Sequence, residues 1–128
     1  MQYDKTKFKM SKYAKFRLSF KFWIEFEGKR VLGKGGASIL NHIKQEGSIS
    51  TAAEKLGMSY RYVWGYLNEI KKTVGEPVVA TSKGGKGGGG GTRLTELGEY
   101  LLSRYKRISD TMEDFVSSEE VGGEVNED

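Results

Sequence analysis

The 128-residue sequence contains no cysteine, one proline and one histidine. The missing cysteine removes disulfides, thiolate metal ligands and cysteine nucleophiles together. A lone histidine, His42, cannot assemble a zinc site, because catalytic zinc is usually held by three protein ligands. His42 is therefore read as a solvated helix position. No unbroken apolar run approaches the roughly 18 residues of a membrane-crossing helix. The stretch from Met1 to Arg17 is basic and polar, without the apolar centre and small-residue cleavage site of a signal peptide. These absences predict a cytoplasmic protein with no membrane partner. No Ser/His/Asp set, metal cluster or paired-carboxylate signature is legible either, so neither an enzyme nor a cofactor is expected.

What is present is positive charge, unevenly placed. The formal net charge is +4, yet Glu119, Glu120, Glu124, Glu127 and Asp128 all fall in the last ten residues, which hold no Lys or Arg. Setting those five acids aside leaves 21 basic against 12 acidic residues over 1–118, a net +9. A basic body with a short acidic tail suits a polyanionic partner.

Hydrophobic spacing supplies the elements. Residues 1–15 are Lys-rich and predict a flexible basic arm. From Phe16 to Phe26 apolar residues alternate with Arg17, Ser19, Lys21, Trp23, Glu25 and Glu27, the period of a half-buried strand. Gly33-Lys34-Gly35-Gly36 punctuates the approach to a first helix carrying Ala37, Ile39, Leu40 and Ile43. Gly47 closes that helix, Ser48 and Ser50 are candidate caps of a second, and Ser59 of a third. In the third helix Tyr62, Val63, Tyr66, Leu67, Ile70 and Val74 form the apolar side. Val78–Thr81 and Thr92–Leu94 then read as paired strands, and a long helix begins near Thr95. The expected fold class is α+β and mainly helical: a winged helix-turn-helix over 16–94, a dimerisation helix over 95–118 and a disordered acidic tail over 119–128.

The run from Gly47 to Trp64 carries the argument. Two helices crossing over a short turn need a small residue at the close approach, supplied by Ala53. They need a residue tolerant of positive φ in the turn, supplied by Gly57, and an apolar plug from the second helix, supplied by Val63. In that register Ser59, Tyr60, Arg61, Trp64, Gly65 and Asn68 lie on the exposed side of a recognition helix whose first turn enters the major groove. Arg61 can donate a bidentate pair to a guanine edge, and Asn68 can pair with adenine or hold a phosphate. Ser48, Ser50, Tyr62 and Trp64 complete the expected DNA-contacting set, with Trp64 equally compatible with the core.

The glycine-rich stretch invites two readings. A phosphate-binding loop requires Gly-Lys followed by Ser or Thr, and Gly85-Lys86 is followed by Gly87. A wing tip fits better: without side chains it can approach the sugar-phosphate backbone while Lys83, Lys86 and Arg93 supply charge. An unstructured linker is the remaining alternative. In the last helix Leu97, Leu101, Tyr105, Ile108, Met112 and Phe115 form a seam suited to a second copy of the chain or to its own domain, with a homodimer favoured.

Four segments in this order resemble one known family. Gly47-Ser48-Ile49-Ser50 through Ala52-Ala53, Gly57 to Trp64, Gly84 to Gly90 and Leu94-Thr95-Glu96-Leu97-Gly98 are similar to the N-terminal DNA-binding domain of the ModE family of molybdate-responsive regulators, itself distantly similar to LysR-type domains. The similarity runs from about Gly33 to Tyr105. It implies a prokaryotic homodimeric regulator that reads DNA with Ser59–Ile70, contacts it with a wing at Lys83–Thr92 and dimerises through its last helix. Ser59-Tyr60-Arg61 matches the family's Ser-Tyr-Lys/Arg element. Such regulators carry molybdate-binding domains after the long helix, where this sequence has only its acidic tail, so molybdate binding is not expected of this chain. The expected function is sequence-specific binding of an inverted-repeat operator on double-stranded DNA, as a repressor. The competing expectation, from the basic arm and body, is an architectural protein that coats DNA with little sequence preference.

Overall fold

The computed structural model describes residues 11–83 and 91–125, with side chains to residue 120. Two compact units emerge: Phe22–Arg107, and the described residues of Met1–Lys21 with Ile108–Asp128. The elements in order are β1 (Ile24–Phe26), β2 (Lys29–Leu32), α1 (Lys34–Glu46), α2 (Ile49–Leu56), α3 (Tyr60–Val74), β3 (Val79–Ser82), β4 (Gly91–Leu94) and α4 (Glu96–Val125). Strands β1 and β2 form one antiparallel hairpin and β3 and β4 another. Three helices followed by a hairpin and a long helix make a winged helix-turn-helix.

The expected strand from Phe16 shortens to Ile24–Phe26, because β2 offers only four residues to pair with. The alternation still governs burial: Phe20, Phe22, Ile24 and Phe26 are half-buried while Lys21, Trp23 and Glu25 are exposed. Phe16 and Leu18, beyond the reach of the hairpin, are 67% and 47% exposed. Phe26 pairs with Lys29 and Glu25 with Arg30, but Ile24 pairs with Leu32, so Val31 is an extra residue in β2. A bulge of this kind lets consecutive side chains turn the same way. Val31 and Leu32 are accordingly both buried.

The core of the larger unit is wholly aliphatic and aromatic. Leu32, Leu40, Ile43, Ala52 and Val63 are each 0% exposed, and no buried polar or charged residue accompanies them among the described residues. Helix α1 begins earlier than its glycines suggested: Gly35 and Gly36 are helical, and Ala37 N–H donates to Gly33 C=O at 2.9 Å. The tertiary reason is Tyr66, whose ring and hydroxyl lie where a Cβ on Gly36 would be. His42 is half-buried rather than solvated, its Nδ1 2.9 Å from the Ser38 carbonyl oxygen one turn back.

Helix α4 departs from expectation in two ways. Leu101 and Tyr105, read as part of a dimer seam, are 4% and 8% exposed and belong to the chain's own core with Leu102. Leu97 packs against that core, and Tyr105 stacks on Phe22 with ring centroids 4.4 Å apart. These positions are covered from within the chain. The helix also continues to Val125 instead of giving way to a tail at 119. Glu120 helps explain this: its carboxylate accepts a 2.8 Å hydrogen bond from Leu18 N–H and lies 3.7 Å from the Arg17 guanidinium. Of the expected basic arm, residues 1–10 lie outside the described residues, while 11–13 have helical backbone.

Candidate nucleic-acid interface

The site is built by two capped helices and the turn between them. Ser48 caps α2 by accepting the Thr51 N–H at 3.1 Å, and Ser59 caps α3 by accepting the Tyr62 N–H at 3.0 Å. Each serine oxygen satisfies one of the N–H groups that a helix start leaves without a partner. Its hydroxyl proton remains free to donate, the polarity a phosphate oxygen requires. Between the helices Gly57 adopts φ 67°, and Met58 N–H donates to Ala53 C=O at 2.9 Å. Ala53 is 2% exposed and Val63 0%, so close approach, left-handed turn and plug occupy the places that spacing predicted.

With Val63, Leu67 and Ile70 buried, the opposite side of α3 is set by the helical period. Tyr60, Tyr62 and Trp64 are 52%, 56% and 51% exposed, and Arg61 and Gly65 are exposed beside them. Tyr62, counted in sequence both on the apolar side and in the DNA-contacting set, faces solvent. Trp64, compatible with either environment in sequence, is also outside. Asn68 is half-buried, two turns from the cap. Arg61 takes part in no ion pair or hydrogen bond among the described residues, so its guanidinium keeps its full donor set. By contrast Lys44 and Lys55 are engaged by Glu99 and Glu46 at 2.7 and 2.9 Å.

The wing is fixed to this site through one carbonyl. Gly47, which ends α1, accepts the Thr92 N–H of β4 at 2.8 Å, and a Cβ on Gly91 would stand 3.3 Å from the same oxygen. The base of the wing is thereby joined to the turn that leads into Ser48 and Ser50. Lys83, just after β3, and Arg93, within β4, are exposed. Lys86 lies outside the described residues.

Spacing alone missed a second group beside α3. Arg30, from β2, sits over the Trp23 ring at 4.9 Å, and Trp23 Nε1 donates to Glu25 at 2.8 Å. Tyr66 donates from its hydroxyl to the Val31 carbonyl at 3.3 Å. Burial is the main cause that raises the Tyr66 phenol above its usual pKa, with hydrogen bonding and the Arg30 charge working the other way. No local pattern announces this group, because it depends on the bulge that places Val31. Among the described residues no cluster of three metal-ligating side chains occurs and no helix is long and apolar enough to cross a membrane.

Residues 37–99 match the bacterial regulatory helix-turn-helix proteins of the lysR family. Those residues form a LysR-type helix-turn-helix domain. Over 95 residues the chain is 36% identical to the molybdenum-pterin-binding protein MopB of Rhodobacter capsulatus, covering 74% of this chain and 34% of that protein. Over 72 residues it is 39% identical to the DNA-binding transcriptional dual regulator ModE of Escherichia coli K12, covering 56% of this chain and 27% of that one. The chain is homologous to these two proteins and spans 34% and 27% of their lengths. Its LysR-type fold also aligns with the crystal structure of ArgP from Mycobacterium tuberculosis at TM-score 0.50 and 20% identity, over 64% of this chain and 28% of that one.

Proposed function

We propose that this chain is a sequence-specific DNA-binding transcriptional regulator, with α3 in the major groove and the β3–β4 wing on the flanking backbone. The observation that carries the reading is the exposed side of α3. Three aromatic rings and an unpaired guanidinium stand in its first two turns, on a helix whose other side is fully committed to the core. A helix stabilised only for packing has no reason to expose Tyr60, Tyr62 and Trp64 together, since each forfeits burial of a large apolar surface. Arg61 and Asn68 would read base edges, whereas Ser48, Ser50, Ser59, Tyr60, Lys83, Lys86 and Arg93 would position the backbone.

The regulator acts as a homodimer, in this reading, on an inverted repeat and as a repressor. Dimerisation is assigned to the half of α4 after Arg107. There Ile108 and Met112 are half-buried and Phe115 is 54% exposed, with Phe16 at 67% and Leu18 at 47% in the same unit. Apolar side chains of this size left open on one helix suit a partner helix. A two-fold pair would present two α3 helices to half-sites about one helical turn apart.

The test is a fluorescence-anisotropy titration with duplexes from the chain's own upstream region and a scrambled control, at several salt concentrations. A regulator binds its site about a thousandfold or more tighter than random DNA. Equal affinity for every duplex, including fragments selected from genomic DNA, would replace the regulator by an architectural DNA-coating protein, the reading favoured by the +9 net charge of residues 1–118. No binding at low salt would defeat both.

A further inference from the structure

Beside the exposed side of α3 lies a cavity of about 430 Å³, within the size range of small-molecule sites. It opens between β2 and α3, entirely inside the larger unit. Val31 and Ile70 give it apolar walls, Tyr62 and Tyr66 give it aromatic ones, and Gly65 adds lining without a side chain. Its charged lining consists of Arg30, Arg61 and Glu69. None of the three forms an ion pair among the described residues; Arg30 lies over the face of Trp23 and against Gly33.

This lining has a definite chemical preference. Two guanidiniums against one carboxylate leave the cavity positive, and a guanidinium fork matches a carboxylate bidentately. The aromatic and apolar walls favour a flat ring system over a small hydrated anion, which would leave those walls wet and unfilled. Glu69 is the one acidic group in the lining. Arg61 belongs to both places: it lines the cavity and stands on the DNA-facing side of α3.

We infer that the cavity binds a two-ring aromatic carboxylate, and that its occupant opposes DNA binding by engaging Arg61. The first half stands on the cavity alone; the second rests on the DNA-binding reading given above. A ligand here would supply the chain with an effector site inside its own helix-turn-helix.

The probe is 2-naphthoate, with the uncharged 2-naphthamide as control, titrated by calorimetry into the full chain. Saturable binding of naphthoate is expected, with naphthamide at least about tenfold weaker, the loss of roughly one charged hydrogen-bonded contact. Arg30→Gln, an exposed substitution that leaves the core untouched, should weaken naphthoate by a similar factor. Thr73→Trp should fill the cavity from the end away from Arg61 and abolish binding. Naphthoate at about four times its wild-type Kd should then weaken the hold on an operator duplex about fivefold in wild type and less than about twofold in Arg30→Gln. No saturable uptake, or uptake indifferent to both the charge of the probe and Arg30→Gln, overturns the site. Uptake that leaves duplex affinity unchanged overturns its coupling to DNA. Uptake by a chain that binds no duplex at all would count against the regulator and leave the cavity assignment standing.

Discussion

The two halves of α4 carry the same apolar spacing and meet opposite fates. Before Arg107 the stripe is Leu97, Leu101, Leu102 and Tyr105, which belong to the core or pack against it. After it the stripe is Ile108, Met112 and Phe115, half-buried to exposed. Periodicity records that one side of a helix is meant to be covered, and it is silent on what does the covering. The first half is covered by its own chain; the second is the half assigned to a partner.

The sharpest way to break that contrast is to truncate both halves equally. Leu102→Ala should destabilise the fold by about 2–5 kcal/mol in urea unfolding, because it empties a fully enclosed site. Phe115→Ala, more than half exposed, should change the stability of dilute protein by only about 0.5 kcal/mol. Equal losses would mean that the distal half is as much a part of the monomer as the proximal one.

A second substitution probes how tightly the proximal half is held. Thr95 caps α4 by accepting the Gly98 N–H at 3.1 Å and donates to Pro77 C=O at 2.7 Å, so the helix start is drawn onto the chain entering β3. A Cβ on Gly98 would run into the Val78 carbonyl oxygen. Gly98→Ala should therefore cost about 1–3 kcal/mol although alanine is the better helix former, and a Tm that rose instead would show that the contact relaxes freely. On the DNA-facing side, Arg61→Ala should weaken operator binding by about 1–3 kcal/mol and relax preference at one base pair, with unfolding unchanged. For the distal half, Met112→Glu should move sedimentation toward the monomer without unfolding the chain; an unaltered dimer would relocate the interface.

The smallest effect concerns Tyr66. Burial raises its phenol pKa above the unfolded value near 10, so the folded chain holds the proton longer than the unfolded one. The stabilisation is complete below about pH 10 and is lost as pH rises through the folded pKa. Tyr66→Phe should remove that alkaline decline, at the loss of a single hydrogen bond to Val31, about 0.5–1.5 kcal/mol. An identical alkaline profile in the variant would assign the decline to other groups.

Much of the exposed side of α3 was legible because it depends on short-range geometry. Once Ala53, Gly57 and Val63 are in register, 3.6 residues per turn place Arg61 and Gly65 outside with no further information. Tyr62 entered the apolar side as well as the DNA-contacting set because an aromatic ring adds to an apolar count whether or not it is buried. Gly36 looked like a helix breaker because the ring that requires a glycine there comes from Tyr66, thirty positions later in the chain. The Gly47 carbonyl that holds β4 was similarly invisible, since only its role as a helix terminator is written locally.

By itself the sequence determined the order of the three helices, the second hairpin and the long helix, the cap at Ser59, the turn at Gly57 and the basic character of the body. Each follows from backbone preference or charge within a few residues. The tertiary structure alone decided how far the core reaches along α4, that Val31 and Leu32 both turn inward, and that Arg30 and Arg61 line one cavity. These depend on a bulge and on contacts between distant segments, where steric fit rather than spacing selects the outcome.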